Sequence, residues 1–143
     1  MAEPSADVRA LVPLALLDEL TFVELHAVRR LDVAAPDDVE ITPQYTLDAG
    51  TSDDATRFRI VLSVALDLGV GDVRVAVAAY YTAQDGAPTL SQALVVEYAN
   101  EVGVMTMLPF LRQGIADVTQ RVFGTPLLMP VMPRGSLAFP VPV

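Results

Sequence analysis

The chain has 143 residues, enough for one domain with a real core and too few for two ordinary ones. Its net charge is −9, with nine arginines and no lysine, which repels phosphate backbones and argues against a nucleic-acid partner. The missing lysine removes P-loop and Schiff-base chemistry, and the missing cysteine removes disulfides, thiol nucleophiles and zinc–thiolate sites.

At 52% hydrophobic residues the chain is rich in apolar side chains for a small monomer. Such a surplus goes into a membrane, an oligomer interface or an exposed apolar binding surface. Spanning a bilayer as a helix takes about 18 or more apolar residues in a row, and Asp67 and Glu97 each interrupt an apolar run early. The start, Met1-Ala-Glu-Pro-Ser-Ala-Asp7, lacks the basic n-region of a signal peptide. The expectation is a cytoplasmic protein without membrane insertion.

Residues 6–19 predict a short helix that Pro13 bends or restarts, so 1–19 reads as an N-terminal extension. From Thr21 the period changes to two, with Val23, Leu25, Ala27, Leu31 and Val33 on one face and Glu24, His26, Arg30 and Asp32 on the other. Pro36-Asp-Asp closes this strand. A second strand alternates Val39, Ile41, Pro43, Tyr45 and Leu47 against polar residues, and its proline predicts an edge or a bulge. After a polar turn, Phe58, Ile60, Leu62, Val64, Leu66 and Leu68 share a face. The glycine-containing link Gly69–Asp72 then leads to Val73, Val75, Val77, Ala79 and Tyr81, a hairpin pattern. Thr89 is a candidate cap for a short helix over 90–100 that ends near Gly103. The main helix starts near Thr106 with Pro109 in its first turn, where a missing N–H costs little. Met107, Leu111, Ile115, Val118 and Val122 form its apolar stripe, with Arg112 on the far side. Gly114 sits mid-helix at a cost of about 1 kcal/mol relative to alanine, which close approach of another helix would explain. Residues 132–143 carry Pro133, Pro140 and Pro142 and read as an extended tail. The sum is a single α+β domain over 1–143, a four-stranded antiparallel sheet with one long C-terminal helix and short helices packed on one face.

Parts for catalysis are missing. His26 is the sole histidine and sits on the polar face of a strand, without the positioned partner and pocket that acid–base work needs. The pairs Asp37/Asp38 and Asp53/Asp54 lie in turns without the alternate spacing of a calcium loop. Gly69-x-Gly71 lacks the following helix of a dinucleotide site. No enzyme, metal or cofactor is expected.

The stretch Met107-Leu-Pro-Phe-Leu-Arg112, then Ile115, then Arg121, then Gly-Thr-Pro126-Leu-Leu-Met129-Pro130 resembles the SecB family of export chaperones. That family's pattern runs Leu-Phe-Pro-Tyr-x-Arg, Ile, Arg, a proline turn and an apolar tail. Phe110 stands at the family tyrosine and Gly114 at another small residue. Thr21–Pro36 parallels the family's first strand. The resemblance implies a dimer of dimers with helices packed between sheets, and grooves that hold unfolded preproteins for the SecA motor. On that reading Ile41, Tyr45, Tyr80, Phe110, Phe123, Leu127 and Met129 line a client groove, while Gly114, Ile115 and Val118 form an oligomer contact. Arg30 and Ala34 stand where the family carries acidic residues for SecA docking, and the prolines of the tail leave no room for the family's second helix; both departures argue against delivery to SecA. The leading function is a SecB-like holdase for unfolded polypeptides. The alternatives are a SecB-like chaperone dedicated to one client, such as the antitoxin of a toxin–antitoxin system, and an oligomeric structural or assembly protein that binds no unfolded chain.

Overall fold

Alternation at period two builds the sheet. In a computed structural model, which describes residues 4–32 and 40–142, four strands form: β1 (Ala15–Arg29), β2 (Gln44–Thr51), β3 (Arg57–Asp67) and β4 (Gly71–Ala83). All pair antiparallel in the order β1-β4-β3-β2, so β1 and β2 are the two edges. Phe58, Ile60, Leu62, Val64 and Leu66 of β3 are buried opposite Tyr81, Ala79, Val77, Val75 and Val73 of β4. The rings of Phe58 and Tyr81 stack at 4.7 Å and Tyr98 meets both edge-on at 5.2 Å, which closes one end of the core. Pro43 precedes β2 instead of interrupting it, and β2 is the edge its proline announced. The expected closure at Pro36, and with it Val33, Ala34, Asp37, Asp38 and Val39, lies outside the described residues.

The first strand departs from its reading. A short helix, α1 (Ala6–Leu11), is capped by the Ser5 hydroxyl, which accepts from the Val8 N–H. Pro13 then sits in a single 3₁₀ turn, and β1 begins at Ala15, well before Thr21. Two register shifts, at Leu17/Glu19 and Phe22/Glu24, reset the alternation. Leu20, Phe22, Leu25 and Ala27 therefore pair with the inward residues of β4, while Val23 is left exposed. Arg30, just past β1, donates to the Gly69 carbonyl at 2.8 Å and to the carboxylates of Asp67 and Asp72, which fastens β1 to the β3–β4 turn.

The helical layer is one continuous rod, Gln92–Phe123, not two helices. It comprises α2 (Gln92–Tyr98), a wide π turn at Ala99–Gly103 and α3 (Val104–Phe123). Ser91, not Thr89, caps it by accepting from the Leu94 N–H. Gly103 does not break the rod; a side chain there would press on Ile60 beneath it. Because the rod is continuous, Pro109 lies in its interior, where it removes one backbone bond. Gly124, at φ 84°, ends it. The rod is long and apolar enough to cross a membrane by composition. Met107, Leu111, Ile115 and Val118 are buried instead in this chain's own core, a gross gain of roughly 6–12 kcal/mol. It is a core helix.

The helix contact assigned to Gly114 is corrected. A Cβ at Gly114 would fall 2.8 Å from Phe22 and Val75 and 3.2 Å from Leu25. Gly114 thus lets α3 press onto β1 and β4 of the same chain. Ile115 and Val118, buried beside it, offer no surface to a second helix.

Candidate functional site

The helical layer divides the sheet unevenly. The packing of α3 falls mainly on β1 and β4, and that of α2 on β2. Residues 125–142 follow α3 as an extended segment without helix or strand, and they return along the rod. Leu127, Met132, Leu137 and Phe139 pack against the core, and Met129 is buried.

Side chains of the rod hold the main chain of this segment at three points. The Thr119 hydroxyl accepts from the Leu127 N–H at 2.7 Å and itself donates to the Ile115 carbonyl at 2.6 Å. Arg112, placed by the stripe on the solvent side, turns to the segment and donates from Nε to the Met129 carbonyl at 3.2 Å. Asn100, inside the π turn, donates from Nδ2 to the Phe139 carbonyl and accepts the Phe139 N–H at Oδ1, both at 2.8 Å. An ion pair between Arg134 and Glu101 adds a fourth tie. The contacts run backwards along the rod, from Thr119 to Asn100, as the segment runs forward from Leu127 to Phe139. The segment is an antiparallel strap.

Between the strap, α2 and β2 lies a cleft of about 270 Å³, with Tyr45, Leu47 and Ala49 of β2, Val96 of α2, and Phe139 and Pro140 of the strap in its wall. A smaller one of about 60 Å³ joins Tyr45 to Met105, Leu108 and Arg112 on the helix and to Pro130–Met132 on the strap. Tyr45 is common to both, and burial raises its phenol pKa.

The groove residues taken from the sequence divide into five places. Tyr45 lines the strap groove, and Ile41, just ahead of β2, packs partly on the core. Leu127 and Met129 belong to the strap, held on α3 at Thr119 and Arg112, and line neither cleft. Phe110 is exposed and, by helical spacing, projects from the flank of α3 opposite Leu108 and Arg112. Phe123 ends α3 beside Gly71, at the β1–β4 side. Tyr80 pairs with Arg59 and Glu19 on the sheet face away from the helices, in an open cleft of about 460 Å³. Asn100 was missed altogether, since an amide between Glu97 and Glu101 in a helical stretch gives no signal of its own. Among the described residues no three His, Asp or Glu side chains gather as metal ligands.

A Greek-key sheet of this order with a long helix on one face defines an α+β fold by geometry. That fold is SecB-like. The structure aligns with the Mycobacterium tuberculosis SecB-like chaperone Rv1957, solved in complex with a ChAD peptide from the HigA1 antitoxin Rv1956, at TM-score 0.78 and 14% identity, covering 91% of this chain and 99% of that one. A protein of unknown function from Streptococcus agalactiae aligns at TM-score 0.44 and 14% identity over 82% of this chain and 97% of its own, too distant to bear on the fold. No protein-family model matches the chain, and no curated protein sequence does.

Proposed function

We propose that this protein is a SecB-like holdase that binds extended apolar segments of unfolded polypeptide in the cytoplasm. The observation that carries the reading is the fold, shared over nearly the whole chain with a chaperone that was solved holding a peptide. The apolar surplus of the sequence supports it independently. Exposed Leu16, Leu17, Val23, Leu25 and Val28 lie along β1, and Met105 and Phe110 are exposed on α3, far from the scattered single apolar residues of an ordinary surface. No catalytic chemistry enters the reading.

Magnitudes fit. One large apolar side chain contributes roughly 1.5–3 kcal/mol on burial, and association with ordering costs about 4–15 kcal/mol. A single contact cannot hold a client, whereas several along an extended chain can, with little sequence preference. The unpaired edge β1, 15 residues long and apolar, supports assembly with further copies, since such an edge is an aggregation hazard when bare. The reading therefore takes β1, in place of Gly114, as the assembly surface. Arg30, paired with Asp67 and Asp72, supports the reading that SecA is not the recipient.

A second reading is favoured by the neighbour's peptide, which comes from an antitoxin: a chaperone dedicated to one such client. Both readings are tested by suppression of aggregation of a reduced, slow-folding preprotein, with the mass of the complex read by light scattering. Suppression with a stable complex supports the general holdase. Aggregation unchanged beside a folded oligomer overturns it and leaves the dedicated client, tested by the same assay with an antitoxin.

A further inference from the structure

The strap is bound as a peptide would be bound. Three of its residues are held through main-chain atoms by side chains of the rod, at Thr119, Arg112 and Asn100. The Asn100 fork is the most telling of these. Its amide pairs with both the N–H and the carbonyl of Phe139, as a neighbouring strand would, so it reads an extended backbone and no particular side chain. Any residue except proline could take the place of Phe139 in that fork. Asn100 stands in the π turn at Ala99–Gly103, a distortion that re-aims side chains and recurs at functional sites. The strap itself makes no ladder bond to β2, and it is only partly buried at Leu137 and Phe139.

We propose that the strap around Phe139 is a displaceable ligand of the chain's own, seated in the groove between β2 and the rod in the place an extended, apolar polypeptide segment would take. Asn100 supplies the backbone fork for either occupant, and Tyr45 and Val96 supply the apolar wall. The strap keeps the groove covered until a client segment of higher local concentration or longer apolar contact replaces it. A tethered occupant competes at an effective concentration on the order of millimolar, so only segments with several contacts displace it. The identity of the outside occupant rests on the holdase reading, but the strap and its fork do not.

The test uses the full chain and a fluorescein-labelled peptide with the sequence of residues 134–142, read by anisotropy. Phe139→Asp loosens the strap, and Phe139→Ala serves the same purpose if the acidic variant does not fold. The released variant binds the peptide at least about tenfold more tightly than the unsubstituted chain. Adding Asn100→Ala takes that gain away. Equal affinity in the released and unsubstituted chains, with both folded by circular dichroism, overturns the proposal, as does a gain that survives Asn100→Ala. A reduced, unfolded polypeptide is then added as competitor. Displacement of the labelled peptide supports this groove as the client site. A peptide that binds through Asn100 yet is not displaced leaves the strap inference standing and overturns the placing of client binding here.

Discussion

The two edges of the sheet solve the same problem in opposite ways. Each edge strand presents backbone groups without a ladder partner, which invite another chain. β2 is short, at eight residues, and its flank is occupied by the strap. β1 runs for 15 residues, carries two register shifts and keeps Leu17, Val23, Leu25 and Val28 exposed. The β2 side is closed by segments of this chain, and the closure works through side-chain amide and guanidinium groups instead of a strand ladder. The β1 side is pressed hard against α3 from within but left bare outside. An apolar surplus in a composition can thus split between a covered site and an open one, and only the open one is surface.

The comparison breaks first at the glycines that let α3 lie so close to β1. Gly114→Leu forces a branched side chain into Phe22, Val75 and Leu25. It lowers stability by about 3 kcal/mol, the upper end for overpacked cores, read as a drop in the urea midpoint. Gly71→Ala acts in the same place, since its Cβ would meet the Val28 carbonyl and the Phe123 ring. An unchanged midpoint in Gly114→Leu would return that glycine to the role of an external contact. The open edge itself is tested by Val23→Arg with Val28→Arg. Both residues are already half-exposed, so the fold tolerates the charges. The mass in light scattering falls to smaller units while the circular dichroism spectrum is kept. A mass that does not change would move assembly away from β1.

How much of this was legible follows the same division. On the interior of the sheet the pattern was enough: β3 and β4 bury the residues that alternation selects, because nothing interrupts their pleat. On β1 it held for Leu25 and Ala27 but failed at Val23, because a bulge shifts the phase without changing the residue types, and so Phe22 faces in where Val23 was expected. Gly114 announced a close approach, but a missing side chain does not say what approaches, and the sheet was as able to do so as a helix. The SecB-like motif located α3 and its arginine, yet Arg112 points to a strap that has no periodicity to read. Prolines mark the strap as extended and say nothing of where it lies. Of the groove residues chosen, Tyr45 lies beside the strap and Tyr80 on the opposite face of the sheet, a difference that an aromatic on a strand does not reveal.

On the covered side the effects are smaller. Asn100→Ala removes both bonds to Phe139 and exposes one end of the strap, a local loss of about 1–2 kcal/mol. It speeds hydrogen exchange at the Phe139 amide and leaves the core amides of β3 and β4 unchanged. Uniform acceleration would mean that the strap is part of the global unit.

The smallest effect lies at the turn that joins β2 to β3. Asp54 accepts from the hydroxyls of Ser52 and Thr56, both at 2.7 Å, and from the Thr56 N–H at 3.2 Å. These bonds, the Ser52 hydroxyl foremost, hold its carboxyl at a pKa of about 2, below the ordinary value near 3.9 for an unfolded chain. A carboxyl depressed in the folded state stabilises the fold above the unfolded pKa and loses that contribution as pH falls through the folded one. The window therefore runs from about pH 4 down to about pH 2. The group is fully exposed, so solvent screens the effect. Asp54→Asn removes the titration, and its stability curve is flatter than that of the unsubstituted chain across this window. Coincident slopes there would mean that the turn is held by its backbone, with Ser52 N–H bonded to the Arg57 carbonyl at 2.9 Å, and that the carboxylate adds nothing to the β2 edge.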